Sequence, residues 1–152
     1  MTYVDSSALV PLYVPERFSA AARTAVQEVK QVPFTALHRL EVPNAFELLV
    51  GRALITRDEC RAVLHQLEED IDSHRLTATS LDFDRVFADA SELSRRHTAK
   101  FLSRSLDVLH VVSAHVAHCT TFVSADDRQL AVAKATGLSI VDIKRPPRRR
   151  RR

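Results

Sequence analysis

Short apolar runs and amphipathic stretches alternate along this chain of 152 residues, and only two glycines interrupt them. The short runs have the length of buried strands, whereas the longer stretches repeat their apolar positions with the period of a helix. Strands that alternate with helices predict a parallel sheet covered by helices on both faces. The predicted strands are residues 2–4, 31–34, 76–78, 121–124 and 138–141. The helical pattern covers residues 6–13, 18–30, 37–51, 60–71, 83–97, 106–119 and 126–136.

Two of the predicted strands are followed by an acidic residue that opens a helix. Asp5 comes directly after the first strand, and Asp126 follows the fourth strand after one alanine. The carboxyl ends of parallel strands lie at one edge of a sheet, where ligands bind in open α/β folds. Both residues are therefore candidates for one site. An ordinary role is also open for each, because aspartate is a favoured helix N-cap.

Two further acids have unusual surroundings. Asp107 begins a helix of mostly apolar or small residues, which is expected to be buried. An ionised carboxylate there is costly unless it is paired, hydrogen-bonded or bound to a metal. Its alternative role is that of a first-turn acid favoured by the helix dipole or paired with Arg104. Glu41 lies near Pro43, so the third helix is expected to begin close to Glu41 or to bend there; Glu41 could also be a surface acid.

Carboxylates gathered at one point repel one another and raise one another's pKa values. Mg²⁺ and Mn²⁺ reverse that repulsion, prefer carboxylate and water oxygens, and commonly bridge protein to phosphate. Such an ion can lower the pKa of a bound water and neutralise charge on a phosphodiester. If the four acids meet, the sequence predicts a divalent-metal site for phosphodiester chemistry.

Each of the four acids lies in a recognisable segment: residues 4–10, 41–45, 104–110 and 121–130. In this order and spacing the segments resemble the successive motifs of PIN-domain ribonucleases. More narrowly, they resemble the VapC toxins of bacterial type II toxin–antitoxin (VapBC) pairs. The resemblance extends over residues 1–143, and its weight comes from the four motifs together, since no single motif is specific.

The resemblance implies an α/β/α sandwich around a central parallel sheet and Mg²⁺- or Mn²⁺-dependent endoribonuclease activity. Ser7 matches a small hydroxyl residue that could orient Asp5 or a metal-bound water, and Asp127 occupies a position that often bears a second acid. The implied partners are an RNA substrate, a cognate antitoxin and a second copy of the chain in a homodimer. The family's catalytic, metal-binding acids are matched by Asp5, Glu41, Asp107 and Asp126.

Three basic side chains near these motifs have two open roles each. Arg104 and Arg128 could hold an RNA phosphate, or they could balance the charges of Asp107 and Asp127. His110 is three residues from Asp107 and shares its helix face. It could tune that acid or contact RNA, although a hydrogen-bonded core histidine is the more common case.

The net charge of +3 combines two regions of opposite sign. Seven of the 22 basic residues lie between Lys144 and Arg152, which leaves 15 basic against 19 acidic residues, a charge of −4, on the rest of the chain. We therefore expect one PIN-like domain over residues 1–143 and a basic, disordered tail over residues 144–152. The tail has no counterpart in the family pattern. It could neutralise RNA phosphates, or it could be a solvated extension without a specific role.

The remaining composition indicates a cytoplasmic protein without a membrane partner. No apolar run approaches the ~20 residues that span a bilayer, and no basic start followed by an apolar core marks a signal peptide. Cys60 and Cys119 lie far apart without a CxxC motif and are expected to be reduced and buried.

Three other functions fit parts of the pattern. A haloacid-dehalogenase-like phosphatase needs a second aspartate two residues after the first, where Ser7 stands. A response-regulator receiver does not accommodate Asp107 in an apolar helix. The non-enzymatic alternative is a catalytically inactive PIN-like module that binds RNA or an antitoxin, and the presence of all four acids argues against it. The sequence thus predicts a metal-dependent endoribonuclease, the toxin of a toxin–antitoxin pair.

Overall fold

A computed structural model describes residues 1–145, in which short strands alternate with helices. The strands are β1 (Thr2–Val4), β2 (Val32–Phe34), β3 (Leu76–Ala78), β4 (Thr121–Ser124) and β5 (Ser139–Asp142). The helices are α1 (Ser6–Leu9), α2 (Ser19–Val26), α3 (Ala36–Gly51), α4 (Arg57–Asp72), α5 (Phe83–Phe101), α6 (Ser105–Val116) and α7 (Asp127–Ala135), with a 3₁₀ turn at Val10–Leu12.

The strands run parallel. β4 lies between β1 and β5, β2 pairs with β3, and β2 lies beside β1. Val4 is paired with Val123, and Ser124 is paired with Asp142. The carboxyl ends of β1, β4 and β5 therefore lie at one edge, and the chain leaves β1 and β4 on the same side, as the strand pattern predicted.

Helices cover both faces of the sheet because successive side chains of a strand point to opposite sides. Val4 and Val123 pack with apolar residues of α1, α2, α3 and α4 on one side. Tyr3 and Phe122 pack with residues of α6 and α7 on the other, where α5 packs against α6. The described residues thus form the expected three-layer α/β/α sandwich with a central parallel sheet.

The first helix departs from its predicted length. It is α-helical for only one turn and continues as the 3₁₀ turn, near whose start Pro11 lies. Proline fits there because it has no amide hydrogen to donate. α2 and α6 are each shorter at their C-terminal ends than the pattern predicted.

The third helix begins earlier than Pro43 suggested. α3 starts at Ala36 and contains both Glu41 and Pro43 in its interior. Its start is defined by Thr35, whose backbone amide donates to Nδ1 of His38 at 3.0 Å. A helix start close to Glu41 is therefore excluded, and the alternative, a bend at that point, stays a prediction.

Other expectations concern cysteines, membranes and the tail. Cys60 and Cys119 are buried and unpaired, as expected. No helix within residues 1–145 is long and apolar enough to cross a bilayer. Of the basic tail, Lys144 and Arg145 belong to the described part, and residues 146–152 lie outside it. The Lys144 ammonium lies 2.8 Å from Oδ2 of Asp127.

The core assignment predicts different costs for two phenylalanines. Phe122 is fully buried and stacks on Tyr3 with ring centroids 5.5 Å apart. We expect Phe122→Ala to lower the free energy of unfolding by about 3–5 kcal/mol in urea titrations. Phe87 on α5 is 55% exposed, so Phe87→Ala should cost less than about 1 kcal/mol. Equal losses would contradict the placement of Phe122 in the core.

Candidate active site

A cavity of about 430 Å³ opens at the carboxyl edge of the sheet. Its acidic lining comes from four separate parts of the chain: the β1–α1 junction, α3, α6 and the β4–α7 junction. The two acids from β1–α1 and α6 are almost completely buried, with 1% and 2% of their surface exposed. The acids that line the cavity are the four that the sequence singled out, Asp5, Glu41, Asp107 and Asp126.

Asp5 follows β1 directly and caps α1. Its Oδ1 accepts a hydrogen bond from the backbone amide of Ala8 at 3.2 Å, and Ser7 Oγ lies 2.8 and 3.0 Å from the two carboxylate oxygens. Burial raises the pKa of Asp5 to about 6, an effect that the nearby His110 and the Ser7 hydrogen bond offset only in part. Within residues 1–145, no lysine or arginine forms a salt bridge with Asp5. This carboxylate has therefore lost its hydration, and among the described residues only the nearby His110 and hydrogen bonds offset that loss.

Asp107 and Asp126 also serve as hydrogen-bond acceptors at helix starts. Oδ2 of Asp107 accepts from the backbone amide of Arg104 at 2.7 Å. Oδ1 of Asp126 accepts from the amides of Arg128 and Gln129 at 2.8 and 3.3 Å. Burial opposes the charge of Asp126, but these bonds and the Arg128 side chain hold its pKa below the ordinary value. Asp107 and Asp126 therefore do accept amides at helix starts, a role that the sequence left open, and both also line the cavity.

Two arginines bridge these acids at the mouth of the cavity. Nε of Arg104 lies 3.4 Å from Asp107 Oδ2, and its Nη2 lies 3.4 Å from Asp126 Oδ2. Arg128 approaches the same two carboxylate oxygens at 3.9 and 3.5 Å. The pairing of Arg104 with Asp107 is confirmed, but Arg128 pairs with Asp107 and Asp126 rather than with Asp127. Asp127 is exposed, pairs with Lys144 and does not line the cavity.

Glu41 is held by two donors from different elements. Ser6 Oγ donates to Glu41 Oε2 at 2.8 Å, and Nε2 of His110 contacts the same oxygen. Burial opposes the charge of Glu41, but the hydrogen bonds from His110 and Ser6 outweigh it and hold the pKa of Glu41 below its ordinary value. His110 therefore contacts Glu41, not Asp107, the acid with which its spacing had associated it.

Sequence reasoning missed four residues of the cavity lining, Ser6, Ser105, Leu106 and Gln129. Gln129 is 7% exposed, and its Nε2 donates to Asp107 Oδ1 at 3.4 Å. A signal for it existed, because residues three apart on a helix share a face, and Gln129 lies three residues after Asp126. Ser6 offered no such signal, since serine is common in first helical turns.

The chemistry of the lining fits a hard divalent cation. Carboxylate and hydroxyl oxygens are the ligands that Mg²⁺ and Mn²⁺ prefer, and Asp5 is a buried acid without a cationic partner. Among residues 1–145, however, no three acidic, histidine or cysteine side chains stand close enough to hold one ion together. Asp107 and Asp126 direct their oxygens to arginines and helix amides instead. Ion binding therefore requires either that carboxylates move or that waters complete the coordination, as Mg²⁺ commonly allows.

Comparison with known proteins finds a curated relative and several solved structures, two of which are described here. No protein-family model matches this chain. Ribonuclease VapC3 from Pyrobaculum aerophilum is 31% identical over 94 residues, which cover 62% of this chain and 69% of that protein. The crystal structure of FitAcB from Neisseria gonorrhoeae has a TM-score of 0.67 at 12% identity, covering 95% of this chain and 99% of that one. PAE2754 from Pyrobaculum aerophilum has a TM-score of 0.58 at 19% identity, covering 94% and 83%. The two structures establish a shared fold.

The buried charge predicts that Asp5→Asn stabilises the metal-free protein at pH 8. The pKa of Asp5 is about 6 in the fold against an ordinary 3.8, so ionisation favours the unfolded chain. Folding should lose up to about 3 kcal/mol as the pH rises from 4 to 7, at 1.36 kcal/mol per pKa unit. Asparagine keeps an acceptor for Ser7 and Ala8 without the charge.

Urea unfolding with chelator present measures this effect. The variant should be more stable than wild type at pH 8 and differ little from it at pH 4. If both proteins lose stability equally between these pH values, the carboxylate of Asp5 is not buried as an uncompensated charge.

Proposed function

Because the chain belongs to the VapC family of PIN-domain ribonucleases, we propose that it is a metal-dependent endoribonuclease and the toxin of a toxin–antitoxin pair. The observation that carries this proposal is the convergence of Asp5, Glu41, Asp107 and Asp126 on one cavity at the carboxyl edge of the sheet. The curated relative is itself named a ribonuclease. RNA phosphodiesters are thus the substrate that the site supports best.

The acids would hold Mg²⁺ or Mn²⁺ between them. When bound, such an ion supplies positive charge for the phosphodiester and a water of lowered pKa. Asp5 is the anchor of this arrangement, because it caps α1, is buried and forms no salt bridge with a lysine or arginine of residues 1–145. Ser7 orients both oxygens of Asp5. Asp107, Asp126 and Glu41 surround it from three other elements.

The two arginines at the mouth are suited to bind phosphate. Arg104 and Arg128 keep 66% and 40% of their side-chain surface exposed. Guanidinium groups bind phosphate oxygens in a forked geometry. Their contacts with the acids are 3.4 to 3.9 Å long, and the guanidinium groups are partly solvated. An RNA phosphate can therefore reach them from the solvent side.

The activity is tested by incubating the purified protein with total RNA and Mg²⁺ or Mn²⁺. We expect endonucleolytic cleavage that chelator abolishes and that Asp5→Asn lowers at least about a hundredfold, since even groups behind the ligands often matter ten- to a hundredfold. The matched control is Asp82→Asn. Asp82 caps α5 through the amide of Arg85 at 3.1 Å but is exposed and outside the cavity. Its substitution should leave the rate unchanged.

Two outcomes separate the alternatives. Cleavage that resists chelator, or that is equal in wild type and Asp5→Asn, would contradict the role given to the ion. RNA binding without cleavage in either metal would favour the catalytically inactive PIN-like module that binds RNA or an antitoxin. The observation that favours an inactive module is that, within the described residues, no three of these acids stand close enough to hold one ion.

Family membership also supports three finer features: a cognate antitoxin, a homodimer and a cytoplasmic location. Partner proteins cover exposed apolar area. Leu106 of α6 and Leu48 of α3, which are 43% and 50% exposed, supply such area beside the acids.

The basic tail is the second proposed RNA contact, attached to the domain of residues 1–143. The amide of Ile143 donates to the carbonyl of Ser124 at 3.2 Å, so the chain leaves β5 at the edge that carries the cavity. Lys144 is held there by Asp127. Arg148–Arg152 follow Pro146 and Pro147 in the sequence and add five positive charges to a domain that is otherwise net negative. Such charges can neutralise RNA phosphates.

Truncation after Arg145 tests the tail. This truncation leaves the contacts of Lys144 in place. RNA affinity is then measured at several salt concentrations, without metal, in proteins that carry Asp5→Asn so that the RNA is not cleaved. We expect the slope of log K against log salt to fall by up to about 3.5, at 0.7 per single-strand phosphate. A chain in which lysines replace Arg148–Arg152 should retain the slope. An unchanged slope after truncation would leave the tail without an electrostatic role.

A further inference from the structure

We propose that His110, held in turn by Tyr3, is a positioning residue that fixes Glu41 so that the second carboxylate oxygen of Glu41 faces the cation. This inference rests on the proposed function. The sequence alone favoured an ordinary core role for His110. The inference instead explains how Glu41, an acid of α3, is oriented in the cavity.

The first step is the way Glu41 is hydrogen-bonded. Both of its donors, Ser6 Oγ and His110 Nε2, bind the same atom, Oε2. Oε1 has no hydrogen-bond partner within residues 1–145. Glu41 lines the cavity together with the three aspartates. Two donors on one oxygen fix the plane of the carboxylate and leave the other oxygen available as a ligand or acceptor.

The second step is the direction of the bonds through His110. A carboxylate only accepts, so Nε2 carries the hydrogen and donates to Glu41. Nδ1 lies 2.9 Å from the hydroxyl of Tyr3. In the neutral ring Nδ1 accepts from Tyr3, and in the charged ring it donates to Tyr3. Nε2 donates to Glu41 in both states, so the positioning does not depend on the charge of the ring.

The third step is the rigidity of the ring. His110 has no exposed surface and lies in a cluster of aromatic rings. Its centroid is 5.8 Å from that of Tyr3 and 5.4 Å from that of His38. Burying an imidazole is costly unless its nitrogens are hydrogen-bonded. An apolar side chain could fill the same volume, but only a ring with two nitrogens can link Tyr3 to Glu41.

His38 supplies a matched comparison within the same cluster. It is as buried as His110, and burial lowers its pKa to about 3. Its Nε2 donates to the carbonyl of Val4 at 2.9 Å, and its Nδ1 bonds to Thr35. It makes no hydrogen bond to an acid of the cavity. Substitution of His38 therefore disturbs the core without releasing Glu41.

Mn²⁺ binding to the metal-free full chain, followed by electron paramagnetic resonance of free Mn²⁺, tests the inference apart from activity. We expect His110→Phe to weaken Mn²⁺ binding about 10- to 100-fold, the range for groups that orient metal ligands. His110→Gln, which keeps a donor near Nε2, should restore most of the affinity. His38→Phe should lower the melting temperature and leave Mn²⁺ affinity unchanged. Tyr3→Phe, which removes one hydroxyl, should give a smaller loss than His110→Phe and keeps the test informative if that variant does not fold.

A double-mutant cycle shows whether His110 acts through Glu41. In the Glu41→Gln background, His110→Phe should cause no further loss of Mn²⁺ affinity, because residues that act as a unit are not additive. Additive losses, unchanged affinity in His110→Phe, or equal losses in His110→Phe and His38→Phe would overturn the positioning role alone. Wild-type protein that neither binds Mn²⁺ nor cleaves RNA would overturn the proposed function itself.

Discussion

The carboxyl edge of this protein is governed by one electrostatic constraint: several carboxylates must coexist where there is little water. Asp5 and Asp107 have 1% and 2% of their surface exposed and line the same cavity as Glu41 and Asp126. Two unit charges 4 Å apart interact by about 4 kcal/mol at an effective dielectric constant of 20. A domain is stable by only about 5–15 kcal/mol. Each carboxylate therefore needs its own compensation, and the elements around the cavity are arranged to supply it.

The negative charges of the acids are balanced to different degrees, and this difference indicates where a cation would bind. Asp126 receives two helix amides and two guanidinium groups, and Glu41 receives His110 and Ser6, so the pKa of each is lowered. Asp5 receives the Ala8 amide, the Ser7 hydroxyl and the nearby His110, but no lysine or arginine of the described residues pairs with it, and burial still raises its pKa. A cation gains most where negative charge is least balanced. The same deficit that destabilises the metal-free fold thus favours an ion next to Asp5.

The sequence predicted the parts of the site that depend on periodicity. Strand ends placed Asp5 and Asp126 at one edge, and the apolar composition of α6 marked Asp107 as buried. Partners close in the sequence, Arg104 for Asp107 and Ser7 for Asp5, were predicted, but partners from other elements were not, because they depend on how α3 and α6 are rotated about their axes. For this reason His110 was associated with Asp107, three residues away on its own helix, although it contacts Glu41 on α3. Pro43 was a poor guide to the helix start, because α3 runs through it from Ala36 to Gly51 despite the hydrogen bond that a proline removes.

Helix capping and site formation are not competing explanations for the aspartates. In a parallel α/β fold the helix after each strand begins at the carboxyl edge, so its capping residue lies at the site by construction. Position alone therefore cannot distinguish the two roles, but burial can. Asp82 caps α5 from an exposed position, and a cap gains nothing from being dehydrated. Asp5 is dehydrated and placed beside like charges without a lysine or arginine of the described residues to balance it, which capping does not require, and that electrostatic cost is the physical argument for a cation.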